Sequence, residues 1–145
     1  MICPTVDLPD ATHIMPEPFI LDIGGEGRNE DAWNLNPRTR RTLGSHSGQP
    51  IPRLICGRGE SIPLRDNSVD VLIVERTPLL MPTLYEILRV ARPAATAILR
   101  HAVTPAGSPH RLATQVLNGT IRQQMTTIGR QTVLETIVSL RSGRS

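Results

Sequence analysis

"FILDIGGEGRNEDAWNLNP", Phe19 to Pro37, decides how the chain is read. A short apolar run carrying Asp22 ends in Gly24-Gly25, with Gly27 two residues later. A continuous apolar run closed by glycines is the pattern of a buried parallel strand. Residues Ala32–Pro37 then alternate apolar and polar side chains up to a proline, which predicts a second short strand. Only about eight residues separate Gly24 from Trp33, so a crossover helix there can hardly exceed one or two turns.

Working outward, Arg38–Pro50 is polar and turn-rich, at best one helical turn. Arg53–Gly57 reads as a third strand, and Val69–Glu75 is the strongest strand pattern in the chain, with Asp66–Ser68 as the turn before it. Residues Thr83–Pro93 are helical: Leu84, Ile87, Leu88 and Ala91 fall at i, i+3, i+4 and i+7, and Pro93 stops the run. Thr96–His101 is a fifth strand. Ser108–Gly119 opens with Ser108 as N-cap and Pro109 at N1, and closes on Asn-Gly. Thr120–Ile128 and Thr132–Leu140 alternate around Gly129-Arg130, a hairpin. Strand–helix alternation ending in a hairpin is an α/β sheet, parallel except at one antiparallel edge.

The chain has 145 residues, 39% hydrophobic and 20% charged, which suits a single globular domain. Residues 1–17, with prolines at 4, 9 and 16, read as a flexible acidic leader, and 18–145 as one domain. No run approaches the ~20 apolar residues of a membrane span, and no secretory pattern opens the chain. A cytoplasmic protein is expected, or an effector delivered to a cell. Cys3 and Cys56 have no metal-ligand spacing and read as unrelated thiols. His13, His46 and His110 share no metal spacing either and read as surface histidines. Glu86 and Arg89, at i and i+3, read as a surface pair. One Phe, one Tyr and one Trp make aromatic base-stacking a poor basis for binding.

All sixteen basic residues are arginine. The absence of lysine excludes a lysine nucleophile, a Schiff base and a Walker-type phosphate loop. Residues 1–31 hold seven acids against Arg28, net −6; the remainder holds fifteen arginines against six acids, net +9, for a total of +3. Such asymmetry permits an anionic partner such as nucleic acid, although solvated arginines would give the same count.

In open parallel sheets, ligands sit beyond the carboxyl ends of the strands at the switch point of strand order, where Asp22 and the glycines fall. A dinucleotide is disfavoured: Glu30 stands where a third glycine should pack helix on strand, and Glu26 would face a pyrophosphate. S-adenosylmethionine carries a sulfonium and no phosphate, so a carboxylate beside the turn attracts it.

"ILDIGGEGR" resembles motif I of class I S-adenosylmethionine-dependent methyltransferases. "CGRGESIPLRDNSVDVLIVERTPLLMPTLYEILRVARPAATAILRH" is similar to that family's stretch running from the adenine-side acid through "-DNSFDVV-" and "E..RVL" to "-PGG-" and the fifth strand. Together these cover Phe19–His101, over half the chain. The resemblance implies a Rossmann-like, doubly wound, mostly parallel sheet in order 3-2-1-4-5-7-6, with a C-terminal antiparallel hairpin, and S-adenosylmethionine as cofactor. It places Asp22, Gly24, Gly25 and Gly27 at the cofactor turn, Asn34 and Asn36 where the family has a ribose-gripping acid, and Glu60 and Ile62 beside the adenine. Glu26 and Arg28 replace glycines often found in motif I, Arg58 stands where the family has its adenine-side acid, and Pro93-Ala94-Ala95 replaces "PGG". Glu75, Arg76 and His101, past the fourth and fifth strands, would face the methyl group: Glu75 or His101 as base, Arg76 holding an anionic acceptor. As ordinary strand-end residues, Glu75 pairs with arginine and His101 takes a hydrogen bond. A second resemblance links "GGEGRNEDAWNLNP" to methyltransferase-like domains of bacterial polymorphic toxins. The methyl acceptor is unspecified. A non-catalytic module of the same fold, binding a macromolecule through its arginines, is the alternative reading.

Overall fold

The computed structural model describes residues 17–141. The strands are β1 (Ile20–Ile23), β2 (Trp33–Asn36), β3 (Leu54–Cys56), β4 (Val69–Glu75), β5 (Ala91–His101), β6 (Thr120–Ile128) and β7 (Gln131–Ser139). They form one sheet in the order β3-β2-β1-β4-β5-β7-β6. Strands β3, β2, β1, β4 and β5 run parallel, while β7 is antiparallel to both β5 and β6. The expected order and edge are both observed.

Two α-helices lie among the described residues, α1 (Met81–Val90) and α2 (Arg111–Leu117). Both pack on the same face of the sheet. Side chains alternate along a strand, so Leu21 and Ile23, Leu72 and Val74, and Ala97 and Leu99 share one face. They meet Leu84, Ile87 and Val90 of α1 and Ala113 and Leu117 of α2 in one apolar core. Val138 and Leu140 at the C-terminal edge close it.

The opposite face mixes polar and charged residues with isoleucines. In register across it lie Asn34, Asp22, Ile73, Ile98, Ile137 and Arg122. One step toward the strand ends come Glu75, Arg100, Glu135 and Gln124. Residues 24–32, the first crossover, contain turns and no helix. The β2–β3 connection contributes one short 3-10 turn, Gly44–His46. These loops cover the polar face beside β1 and β2: Gly24 N–H donates to Leu35 O at 2.8 Å, and Ala32 and Ile51 are buried beneath them. A doubly wound sheet ordinarily carries helices on both faces; here loops supply the second layer. The short crossover left room for nothing longer.

Several expectations shift in detail. The first helix begins at Met81 and ends at Val90, before Pro93, because β5 starts at Ala91 to pair with Val69. The second helix is capped at His110, not Ser108; the Ser108 hydroxyl instead accepts from His110 N–H at 3.2 Å. Asn118 ends it in the left-handed region, the conformation Asn and Gly tolerate there. Ala94 also adopts a left-handed backbone, φ 66°, where the resembled family carries glycine.

Three readings are corrected. His110 is fully buried rather than a surface residue, because β7 and α2 close over it; His46 is exposed, and His13 lies outside the described residues. Cys56 is disulfide-bonded, not an unrelated thiol, and Cys3 lies outside the described residues. The Glu86–Arg89 pair is more than surface decoration. Arg89 also donates to the carbonyls of Ile62 and Leu64 and to Asp66, while Glu86 accepts from Ile62 N–H. That knot ties the β3–β4 loop to α1. It raises the Arg89 pKa through its bonds to Glu86 and Asp66, and lowers that of Glu86 through the bond from Arg89.

Candidate active site

The carboxyl ends of β1 and β4 meet at the switch point, and each carries a buried carboxylate in its last two residues. Asp22 has no exposed surface and Glu75 retains 6%. Charges this dry require a partner. Asp22 takes a two-pronged contact from Arg28, Nε to Oδ2 at 3.0 Å and Nη2 to Oδ1 at 2.7 Å, and a third bond from Asn29 Nδ2 at 2.8 Å. The same guanidinium lies 3.5 Å from Glu75 Oε2. Arg28 thus bridges the ends of the two central strands.

Glu75 continues the network sideways. It accepts from Arg100 Nη1 at 3.0 Å; Arg100 Nε donates to Glu135 at 2.7 Å, and Glu135 accepts from Gln124 at 2.7 Å. Cross-strand register puts all four side chains in one row. Burial opposes the charge on Arg100, but its bonds to Glu135 and Glu75 outweigh it and raise its pKa; the bond from Arg100 lowers that of Glu135.

The glycine turn packs against the protein's own side chains. A Cβ at Gly24, where φ is +78°, would collide with Thr77 Oγ1, and one at Gly25 with Asn34 Oδ1. Asn34 Oδ1 accepts from Gly27 N–H at 3.1 Å while its amide donates to Pro52 O at 2.8 Å. Asn36 donates to Gly25 O at 3.1 Å. Both asparagines are buried and hold the turn by its backbone.

Past β3, Arg58, between Gly57 and Gly59, and Glu60 are both exposed. Ile62 is buried in the apolar core on the helix face. The sites therefore separate: Asp22, Gly24, Gly25, Gly27, Asn34, Asn36 and Glu75 gather at the switch point, Arg76 follows at its rim, and Ile62 lies in the core.

His101 faces away from the carboxylate row. Its Nε2 lies 2.6 Å from Thr77 O, its Nδ1 2.8 Å from His110 Nε2, and His110 Nδ1 lies 2.6 Å from Thr136 Oγ1. Gln123 Nε2 donates to that hydroxyl at 3.1 Å. A carbonyl only accepts, so the Thr77 end fixes every proton: His101 carries its proton on Nε2, His110 on Nε2, and Thr136 donates to His110. Both rings are neutral. Burial pushes His110 down to about 4, with the neighbouring His101 adding to it. His101 is lowered by burial and by the charge of Arg28, against the Thr77 bond and Glu75.

Beside the buried carboxylates lies a cleft of about 460 Å³, lined by Glu26, Arg28, Arg41, Leu43, Gly44, Ser45, His46 and Arg76. Sequence reasoning missed Arg28 as the partner of Asp22, Arg100 and Glu135 as its extension, and His110 as the partner of His101. An arginine where the resembled motif has glycine was the available signal for the first. The others depend on strand register.

Among known proteins, no family model and no curated sequence matches the chain, whereas solved structures do. A SAM-dependent methyltransferase from Methanosarcina mazei superposes with a TM-score of 0.59 at 12% identity, over 89% of this chain and 95% of that one. A SAM-dependent methyltransferase from Thermotoga maritima gives 0.59 at 12% identity, over 88% and 84%. The 16S rRNA (adenine(1408)-N(1))-methyltransferase from Catenulisporales acidiphilia, in a structure with cosubstrate SAM, gives 0.58 at 15% identity, over 89% and 87%. The chain has the fold of the class I S-adenosylmethionine-dependent methyltransferases.

Proposed function

We propose that the chain is an S-adenosylmethionine-dependent methyltransferase whose cofactor binds at the carboxyl ends of β1 and β4. The observation that carries the reading is the buried pair Asp22 and Glu75 held to one guanidinium. Two dry carboxylates need a cation. In the free protein Arg28 supplies it; a ligand bearing an ammonium and a sulfonium brings its own. Such a ligand would take over the neutralisation of Asp22 while Glu75 keeps Arg100, and Arg28 would then be free to meet an anion. The donor set therefore fits the cationic half of S-adenosylmethionine.

The other half meets different groups. Asn34 and Asn36 are committed to Pro52, Gly25 and Gly27, so in this reading they shape the turn and bring its backbone close to the ribose. Glu60, exposed past β3, is the acidic group available to the adenine amino group. Bound, the cofactor supplies an already activated methyl group. Glu75, once Arg28 has moved, is the carboxylate placed to take a proton from the acceptor, and Arg76 at the rim holds an anionic acceptor. His101 holds the Thr77 carbonyl, and with it the residue that Gly24 packs against. It acts as a positioning residue.

Methyl transfer from tritiated S-adenosylmethionine, measured against nucleic-acid, protein and small-molecule acceptors, tests the activity. Transfer should depend on Asp22: Asp22→Ala should weaken S-adenosylhomocysteine binding by ~1–3 kcal/mol, the scale of a lost charged partner. Unchanged binding in Asp22→Ala would count against the site. Gly24→Val is a poorer test, since its side chain would collide with Thr77 whether or not a ligand binds there.

A further inference from the structure

The arginine-lined cleft has a chemistry of its own. Its lining sets Arg28, Arg41 and Arg76 against the single carboxylate of Glu26. That carboxylate is already spent: it accepts from Thr42 N–H at 2.8 Å, Thr42 Oγ1 at 2.6 Å and Leu43 N–H at 3.2 Å. Burial raises the Glu26 pKa, but these bonds and the charge of Arg41 bring it net below its ordinary value. Glu26 therefore pins the β2–β3 loop over the motif I turn and has little left to offer a ligand.

The arginines are less satisfied. Arg41 Nε is buried with no hydrogen-bond partner, a costly condition for a charged donor unless something else fills it. The side chain of Arg76 is 41% exposed, and its contact with Glu75 is 3.8 Å, too long for a hydrogen bond. Arg76, directly after β4, also holds a left-handed backbone, φ 59°, which costs free energy. The three guanidiniums come from three segments: Arg41 from the β2–β3 loop and Arg76 from the end of β4, with Arg28 of the turn after β1 keeping its Nε and Nη2 on Asp22. A planar carboxylate is met by one guanidinium fork; several guanidiniums lining one cleft suit a tetrahedral oxyanion with more acceptor positions. The volume lies within the range of small-molecule pockets.

We infer that the cleft bounded by Arg28, Arg41, Arg76 and His46 is a phosphate-binding site, and that the phosphate belongs to the acceptor. Its identification as the acceptor's rests on the methyltransferase reading; the phosphate site itself does not. A phosphate seated there lies beside the Asp22–Glu75 pair, so a nucleotide anchored by it would present its base or sugar to the strand ends. The source is either the terminal phosphate of a mononucleotide or the phosphodiester of a nucleic-acid strand.

Titration of the whole chain with inorganic phosphate, followed in ¹H–¹⁵N spectra at ionic strength matched with chloride, tests it. The Arg41 Nε–H signal, identified by its loss in Arg41→Gln, should shift saturably. Arg41→Gln and Arg76→Gln should each weaken phosphate binding about tenfold or more, the effect of one charge-assisted hydrogen bond. Circular dichroism of both variants checks that they are folded; Arg76→Gln, at an exposed position, keeps the test valid if Arg41→Gln is not. A nucleoside 5′-monophosphate binding more tightly than an oligonucleotide without terminal phosphates identifies the mononucleotide source. The reverse order, with a steep salt dependence, identifies the strand. Absence of saturable binding, or equal binding by wild type and both variants, overturns the site. S-adenosylhomocysteine is titrated in parallel. Its binding without phosphate binding removes this inference and leaves the methyltransferase reading standing; phosphate binding without it does the opposite.

Discussion

Replacing Arg28 by alanine strips from Asp22 its only guanidinium among the described residues, and one of several from Glu75. Breaking a buried ion pair from one side costs about 3–5 kcal/mol, because the remaining charge is left dry. Two features lower that figure here. Asn29 Nδ2 still donates to Asp22 at 2.8 Å, and Glu75 keeps Arg100 at 3.0 Å. The Arg28 side chain is 23% exposed, so water can enter behind it. Arg28→Ala should therefore lose about 2–4 kcal/mol in urea unfolding. The single tryptophan, Trp33, reports the transition, since it packs on Phe19, under Arg53 and against the apolar core. The cause is checked by a double-mutant cycle with Asp22→Asn. If the loss comes from the orphaned carboxylate, neutralising it should recover stability, with a coupling of about 1–3 kcal/mol. A cost within about 0.5 kcal/mol of zero, or no coupling, would refute the claim that Arg28 neutralises the switch point.

Other outcomes follow from the same geometry. His110, held near 4 by burial, binds its proton more readily in the unfolded chain, whose value is about 6.5. Its neutral form thus adds stability above about pH 6.5 that drains away as pH falls toward 4, at most about 3 kcal/mol; the difference in unfolding free energy between wild type and His110→Gln should narrow over that window. Ala94→Gly should raise stability by about 0.5–1 kcal/mol, seen as a higher Tm, because glycine relieves the left-handed backbone. Arg89→Ala should loosen the β3–β4 loop, seen as faster amide exchange at Ile62, whose N–H is held by the Glu86 carboxylate that Arg89 fixes.

Much of the sheet could be read from single segments. Val69–Glu75 and Thr120–Ile128 match their expected bounds, since a run of β-branched residues or a polar–apolar alternation carries its own signal. The short first crossover was also legible, from the count between Gly24 and Trp33. What the sequence hid was pairwise. Arg28 reaches back six residues to Asp22 only because the intervening turn folds onto the polar face. Glu75, Arg100 and Glu135 become neighbours only once β4, β5 and β7 are in register, across separations of 25 and 35 residues. His110 looked like a surface residue because its partner, Thr136, lies on a strand that pairs from the far end of the chain. Asn34 and Asn36 carried the right chemistry for a ribose, but their amides were claimed by loop carbonyls and a backbone N–H that local sequence does not reveal.

The measurement bearing most directly on the methyltransferase reading is a calorimetric titration of the whole chain with S-adenosylmethionine and S-adenosylhomocysteine, repeated on Asp22→Ala. The account predicts saturable binding of both by the wild type, weakened by ~1–3 kcal/mol in the variant as the charged partner is lost. No binding of either at millimolar concentration by a folded wild-type chain would contradict it.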